Sequence, residues 1–380
     1  MNHGVAAGIF VPPMPKHTYN NGYSGAAISG LLAIDMNPMM RTLMHTQMNK
    51  SGATALLLAL VLALTVLVGC GRSDSPASAN GEKQIVLGFS QIGAESEWRT
   101  ANTRSIQSAA KEAGIDLRFS DAQQKQENQI KALRSFIAQR VDVIAFSPVV
   151  ETGWETVLRE AKAANIPVIL TDRAVEVSDE SLYLSLIGSD FVEEGRKAGR
   201  WLLEHFANDP TKAAMDEINI VELQGTVGSA PANDRKRGFA EVIGTDRRFK
   251  IIRSQTGDFT RAKGKEVMEA FLKAEGRRIN VLFAHNDDMA IGAIQAIEEA
   301  GFKPGTDITI VSIDGVKGAF EAMIAGKLNV TVECNPLLGP QLMDAVKEVA
   351  AGRPIPRRIV TEEGVFPRET AAEVLPTRQY

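Results

Sequence analysis

Two successive runs of alternating strand and helix signals constrain this chain more than anything else in it. Short β-branched stretches at 85–90, 117–120, 141–147, 167–171 and 182–187 read as strands. Amphipathic stretches at 98–113, 124–139 and 152–164 separate them, the second with Ile130, Leu133, Phe136 and Ile137 near helical spacing. The alternation then starts again, with strands at 218–223, 250–254, 281–284, 309–313 and 330–333 and helices at 193–206, 235–243, 262–274, 289–300 and 317–324. Strands that alternate with helices predict parallel sheets covered on both faces. A body of about 300 residues is near the size at which one core divides. The expectation is therefore an α/β protein of two doubly wound lobes rather than one long sheet.

A different kind of sequence precedes this body. Residues 53–68 are an apolar run of Ala, Leu, Val and Thr, shorter than the ~20 residues a bilayer-spanning helix needs. The run reads as a signal-peptide core rather than an anchor helix. Arg41, His45 and Lys50 stand ahead of it, and Leu67-Val68-Gly69-Cys70 closes it with small residues before a cut. This resembles the bacterial lipobox, and the resemblance implies that Cys70 carries diacylglycerol and begins the mature chain. Residues 1–38 show no steady hydrophobic period and read as an upstream extension from a start codon assigned too early, which leaves 39–69 as the lipoprotein signal peptide. The Ser/Ala/Pro/Gly/Asn composition of 70–83 is that of a flexible tether. The expected location is extracytoplasmic, periplasmic or cell-surface, on a membrane through the lipid.

Several function classes are disfavoured. The net charge of −4 gives no basic surface for nucleic acid. Cys334 is the one cysteine of the body, so an internal disulfide is impossible there, and it reads as a small buried hydrophobe. His205 and His285 are the only histidines of the body. Ala284-His285-Asn286-Asp287-Asp288 reads as a strand end followed by a helix cap rather than a metal cluster, and no cofactor or metal is expected. Neither a nucleophile elbow nor a glycine-rich phosphate cradle is present. A carboxylate pair acting on saccharides stays open as the enzymatic alternative.

Ligands of open parallel sheets bind beyond the carboxyl ends of the strands. The residues expected there are Ser90, Gln91, Asp121, Ser147, Asp172, Arg173, Asp190, Gln224, Asp258, Phe259, Asn286, Asp287 and Asp314. Carboxylates and guanidinium groups give charge-assisted hydrogen bonds to hydroxyls, and aromatics such as Trp98 and Phe259 supply a flat apolar surface. The set suits a polyol better than a phosphate.

The stretches GFSQIGAESEWRTAN, DAQQKQENQIKALRSFIAQ, LTDR, VELQGTVGSAPANDRKRGF, SQTGDFTRAKGKEVM, FAHNDDMAIGAIQAI and VSIDG occur in this order. Together they resemble the periplasmic sugar-binding proteins of the ribose and galactose type, most nearly the galactofuranose-binding branch that serves ABC importers. The resemblance covers residues 83 to about 368. It implies the type I periplasmic binding protein fold, two Rossmann-like lobes joined by a three-strand hinge with the sugar between them. The lobes would be 84–189 plus about 335–362, and 190–334 plus about 363–380. Asp172 and Arg173 would bond ring-proximal hydroxyls from the first lobe, with Ser90 at the end of the first strand, while Arg235, Asn286 and Asp314 would do so from the second. Trp98 and Phe259 would cover the sugar faces, and Glu95 and Arg99 would be contacts particular to the galactofuranose-like branch.

Two departures stand out. The loop at 94–99 is longer and more charged than in ribose-type relatives, which argues against plain ribose. Cys334 stands where those relatives have a hydrogen-bonding Gln. The expected protein is a monomeric binding protein and not an enzyme, whose partners are a monosaccharide, an ABC permease and, through it, the ATPase. A sugar or autoinducer receptor for a sensor kinase or chemoreceptor, and a cell-surface enzyme acting on saccharides, are the alternatives.

Overall fold

The structure, a computed structural model, describes residues 84–380. The expected upstream extension, signal peptide, lipidated Cys70 and tether lie outside the described residues.

Strands β1 (Val86–Gln91), β2 (Asp116–Asp121), β3 (Val143–Phe146), β4 (Val168–Thr171) and β5 (Ser185–Gly188) alternate with helices α1 (Glu97–Glu112), α2 (Gln126–Gln139) and α3 (Glu155–Ala163). They pair in parallel in the order β5-β4-β3-β1-β2. Strand β3 shows why the middle strands are mostly apolar. Val143 and Ala145 pack with Leu87, Phe89, Ile106 and Leu342 on one face. Ile144 and Phe146 pack with Leu133, Phe136, Trp154 and Leu158 on the other. Side chains alternate along a strand, so a sheet covered by helices on both faces leaves few positions for a polar residue in its middle strands.

The second run repeats the plan. Helices α4 (Phe191–Asn208) and α5 (Pro210–Ala213) lead into β6 (Ile218–Gln224), α6 (Ala230–Ile243), β7 (Phe249–Thr256), α7 (Arg261–Glu275), β8 (Val281–Ala284), α8 (Asp287–Glu299), β9 (Thr309–Asp314), α9 (Lys317–Ile324) and β10 (Val330–Glu333). Its sheet runs β10-β9-β8-β6-β7, again parallel.

The chain then returns to the first lobe. Helix α10 (Gly339–Ala350) buries Leu342, Met343 and Val346 in the core shared with β1 and β3, and β11 (Arg358–Val360) adds in parallel beside β5. A last crossing brings β12 (Val365–Pro367) antiparallel onto β10, followed by the short α11 (Ala371–Val374). The backbone thus passes between the sheets three times, at 189–190, 334–338 and 361–364. The sequence reading assigned no element beyond residue 333. The strands β11 and β12 have three residues each, too few for an alternation to register, and they form because the edges of β5 and β10 offer unpaired backbone groups.

Helices α4 and α6 meet at a pair of glycines. At Gly195 of α4 a Cβ would stand 2.3 Å from the Arg235 carbonyl oxygen, and at Gly238 of α6 it would stand 2.0 Å from that of Val192. Only glycine on each helix lets the two backbones meet this closely. The lobes also touch across the cleft: the Glu97 amide donates to Asp288 Oδ2 (2.7 Å), and the Glu151 amide to the Gly228 carbonyl (2.9 Å).

Candidate ligand-binding site

The carboxyl ends of the two sheets form a cavity lined by Glu95, Ser96, Trp98, Arg99, Asp172, Arg173, Pro231, Arg235, Phe259, Asn286, Asp314 and Cys334. Nine of the ten expected ligand residues are in that lining.

The first-lobe half begins at α1. Ser96 caps this helix by accepting the Arg99 amide (3.1 Å), which turns the first-turn side chains toward the cleft. Arg99 donates to Asp172 Oδ2 (2.7 Å), to Glu95 Oε1 (3.1 Å) and to Gln91 Oε1 (3.3 Å). Burial opposes its charge, but Asp172 and Glu95 outweigh burial and raise its pKa. Asp172 follows β4 with φ 62°, a left-handed conformation that Asp tolerates better than most residues. Arg173 donates to the Val149 carbonyl (3.1 Å), and burial, followed by the nearby Arg99 charge, pulls its pKa down to about 10. Two polar atoms of this half, Glu95 Oε2 and Arg173 Nε, are buried with no hydrogen-bond partner.

In the second-lobe half, Arg235 of α6 donates to Glu194 Oε2 (2.7 Å) and to the His285 carbonyl (2.5 Å), and its Nη2 lies 3.6 Å from Asp314 Oδ1. Burial holds the Asp314 carboxyl well above the usual carboxylate range, although Arg235 works against it. The Asp314 turn is held by Asp287, whose carboxylate accepts the Gly315 and Val316 amides (2.7 and 3.0 Å) and the Thr331 hydroxyl (2.8 Å). Asn286 caps α8 with Oδ1 and donates from Nδ2 to the Phe259 carbonyl (3.2 Å).

The aromatics sit between the cations. Phe259 lies 5.1 Å from the Arg173 guanidinium and 6.0 Å from that of Arg235, measured to the ring centroid. It fits because Gly225 has no Cβ, which would stand 1.9 Å from the ring. Trp98 stacks under Arg99 (4.6 Å) and donates from Nε1 to the Cys334 carbonyl (2.6 Å).

Ser90 is the expected residue that does not reach the cavity. It lies buried in the sheet opposite Ser120 and Phe146, and its hydroxyl has no hydrogen-bond partner. Gln91, one position on, serves the site instead by accepting from Arg99. Ser96, Pro231 and Cys334 line the cavity without having been named as ligand residues, and Glu194 and Asp287 brace it from outside the lining. A cap Ser at the start of α1 was readable as such, whereas a Glu on an amphipathic helix reads as a solvated charge. Among the described residues, Glu194, Cys334 and Glu363 are the His, Cys, Asp or Glu side chains close enough to share an ion, within 4.8 Å of one another. One oxygen of each carboxylate is already engaged, Glu194 Oε2 by Arg235 and Glu363 Oε1 by three donors.

Residues 87–354 match the sequence profile of the periplasmic binding protein domain. The chain belongs to this family. Among curated members it is 51% identical over 294 residues to the galactofuranose-binding protein YtfQ of Escherichia coli K12, covering 77% of this chain and 90% of that protein. A Mycobacterium smegmatis structure in complex with β-D-fucofuranose is 58% identical with a TM-score of 0.75, covering 78% of this chain and 95% of that one. The arabinose transporter component of Shewanella sp. ANA-3, bound to α- and β-L-arabinofuranose, is 53% identical with a TM-score of 0.73, covering 77% and 95%. Members of the family to which the chain is similar are sugar-binding transport components, and the family implies an extracytoplasmic location.

Proposed function

We propose that this chain is an extracytoplasmic solute-binding lipoprotein that captures a monosaccharide in its furanose form, galactofuranose or a close analogue, and delivers it to an ABC permease without turning it over. The observation that carries the reading is the ring of buried, mutually paired charges between two sheets, in which Glu95 Oε2 and Arg173 Nε still lack a hydrogen-bond partner. Buried polar groups are satisfied almost without exception, and hydroxyls on opposite edges of a small ring supply both a donor for Glu95 and an acceptor for Arg173. The furanose ligands named for the similar proteins favour a five-membered ring.

The ligand residues on this reading are Glu95, Trp98, Arg99, Asp172, Arg173, Arg235, Phe259, Asn286 and Asp314. The moving bodies are 84–189 with about 335–362, and 190–334 with about 363–380. Sugar favours the closed arrangement because only there do both lobes touch it, and the permease recognises that closed form. The anchor is Cys70; a Cys70→Ala chain that stays on the membrane refutes it. The deciding experiment is thermal unfolding against galactofuranose, D-galactose, L-arabinose, D-ribose and D-glucose. A ligand at about a hundred times its Kd adds ~2.7 kcal/mol, a shift of several degrees at most. Shifts with furanose-forming sugars and none with glucose are expected, and no shift with any sugar overturns the proposal.

A further inference from the structure

Glu194 is fully buried, does not line the cavity, and belongs to neither half's set of sugar contacts. Helix α4 brings it to Arg235 through the Gly195 and Gly238 contact, and Oε2 accepts from Arg235 Nε at 2.7 Å. Its other oxygen, Oε1, has no hydrogen-bond partner. A carboxylate oxygen of Glu363 and the Cys334 sulfur lie within 4.8 Å of Glu194 and of each other.

Glu363 stands where all three crossings between the sheets meet. Its Oε1 accepts the Ser189 hydroxyl from the first crossing, the Asn335 amide from the second (3.1 Å) and the Thr361 hydroxyl from the third (2.9 Å). Glu194 is fully buried and Glu363 partly so, and two carboxylates this close and this poorly hydrated do not both ionise beside a single guanidinium. One proton between them removes the repulsion and gives Glu194 Oε1 the partner it otherwise lacks.

We propose that Glu194 is a positioning residue of the sugar site: it aims Arg235 at the cavity and, through one proton shared with Glu363, ties that aim to the junction of the three crossings. This rests on the reading of the cavity as a sugar site. The groups facing the pair are Arg235 of α6, Asp314 at the end of β9, Cys334 from the second crossing, Arg358 of β11, and Lys197, whose Nζ donates to the Glu363 carbonyl (2.7 Å). Arg235 is the closest cation, and it holds one negative charge and not two. Burial first, with Glu363 adding to it, lifts Glu194 to about 8, and burial lifts Glu363 as well. Once the proton leaves, the two carboxylates repel, the crossings loosen, and Arg235 loses its fixed direction.

The test is calorimetric titration of the protein with L-arabinose and D-galactose between pH 6 and pH 9, joined to infrared spectra of the sugar-free protein. Wild-type affinity is expected to fall about tenfold across that range. Glu194→Ala should bind about tenfold more weakly at pH 6, while Glu194→Gln, which keeps an oxygen for Arg235, should recover most of that loss and bind alike at both ends. In the infrared, the carboxylic-acid C=O band at pH 7 should lose intensity in both Glu194→Gln and Glu363→Gln, since removing either partner leaves the other ionised. An unchanged band in the two Gln variants overturns the shared proton, and a wild-type pH dependence that persists in Glu194→Gln overturns the positioning role. A band that behaves as expected in a protein that gives no heat with either sugar sinks the sugar reading and the positioning role with it, while the carboxyl pair stands.

Discussion

The two halves of the cavity hold their arginines in different ways. In the first lobe, Arg99 is fixed by Asp172, Glu95 and Gln91, all carried on strand ends and the α1 turn of that lobe. In the second lobe, Arg235 is fixed by Glu194, which in turn lies against the crossings. The first half thus draws the partners of Arg99 from its own lobe. The second is tied to the segments that cross between the sheets, and it contains the carboxyl groups most displaced by burial: Glu194 at about 8, Asp287 at about 7, and Asp314 well above its ordinary range. On the proposed closing motion, the first half is the recognition surface with fewer ties to the crossings, and the second is the one whose geometry closure would change.

The sharpest way to break this contrast is Asp172→Ala. It leaves the Arg99 and Arg173 guanidinium groups buried without their shared carboxylate, and breaking a buried pair from one side costs about 3–5 kcal/mol. Sugar affinity should fall by about a hundredfold or more, with a lowered Tm; micromolar binding in calorimetry would contradict it. Next comes Gly238→Val, whose Cβ would stand 2.0 Å from the Val192 carbonyl. Overpacking costs roughly 1–3 kcal/mol or more, and hydrogen exchange should localise the loss to α4 and α6 while the first lobe keeps its protection.

The third prediction concerns pH. Glu194 and Asp287 have pKa values raised by burial from 4.5 to about 8 and from 3.8 to about 7. Between the ordinary and the raised values the folded protein holds protons that the unfolded chain has released, so stability falls as pH rises. Their contribution is full below about pH 4, declines from there, and is lost by about pH 8. Tm measured from pH 5 to 8.5 should drop, and less steeply in Asp287→Asn and Glu194→Gln; equal slopes in all three would refute it. The smallest effect is expected from Trp98→Phe, which removes the hydrogen bond from Nε1 to the Cys334 carbonyl and leaves the ring. A loss of about 1 kcal/mol in urea unfolding is expected, with sugar affinity reduced only a few-fold because an aromatic face remains; a hundredfold loss of affinity would contradict it.

Much of the site was readable because its chemistry is local. Asp172 and Arg173 stand side by side at the end of an apolar strand, Asn286 precedes a helix it was bound to cap, and Phe259 follows β7 in a short turn. Where the reading slipped, a side-chain direction was at stake. Ser90 and Gln91 both end β1, and the alternation of the strand sends only the second toward Arg99. Glu194 was out of reach for a further reason. It follows Glu193 in the first turn of an amphipathic helix, where acids are favoured whatever they face, and only packing distinguishes the exposed carboxylate from the buried one. The elements past residue 333 were missed where three-residue strands depend on an existing edge.

By itself, the sequence determined that this chain builds two parallel sheets and which polar and aromatic residues stand at their carboxyl ends, because the strand and helix periods are local and the loops follow from them. Only the tertiary structure decided that residues 189, 194, 235, 334 and 363 meet. That meeting requires glycines on two helices to let the backbones touch and three crossings to converge on one carboxyl group, and neither distance is carried by any short stretch of chain.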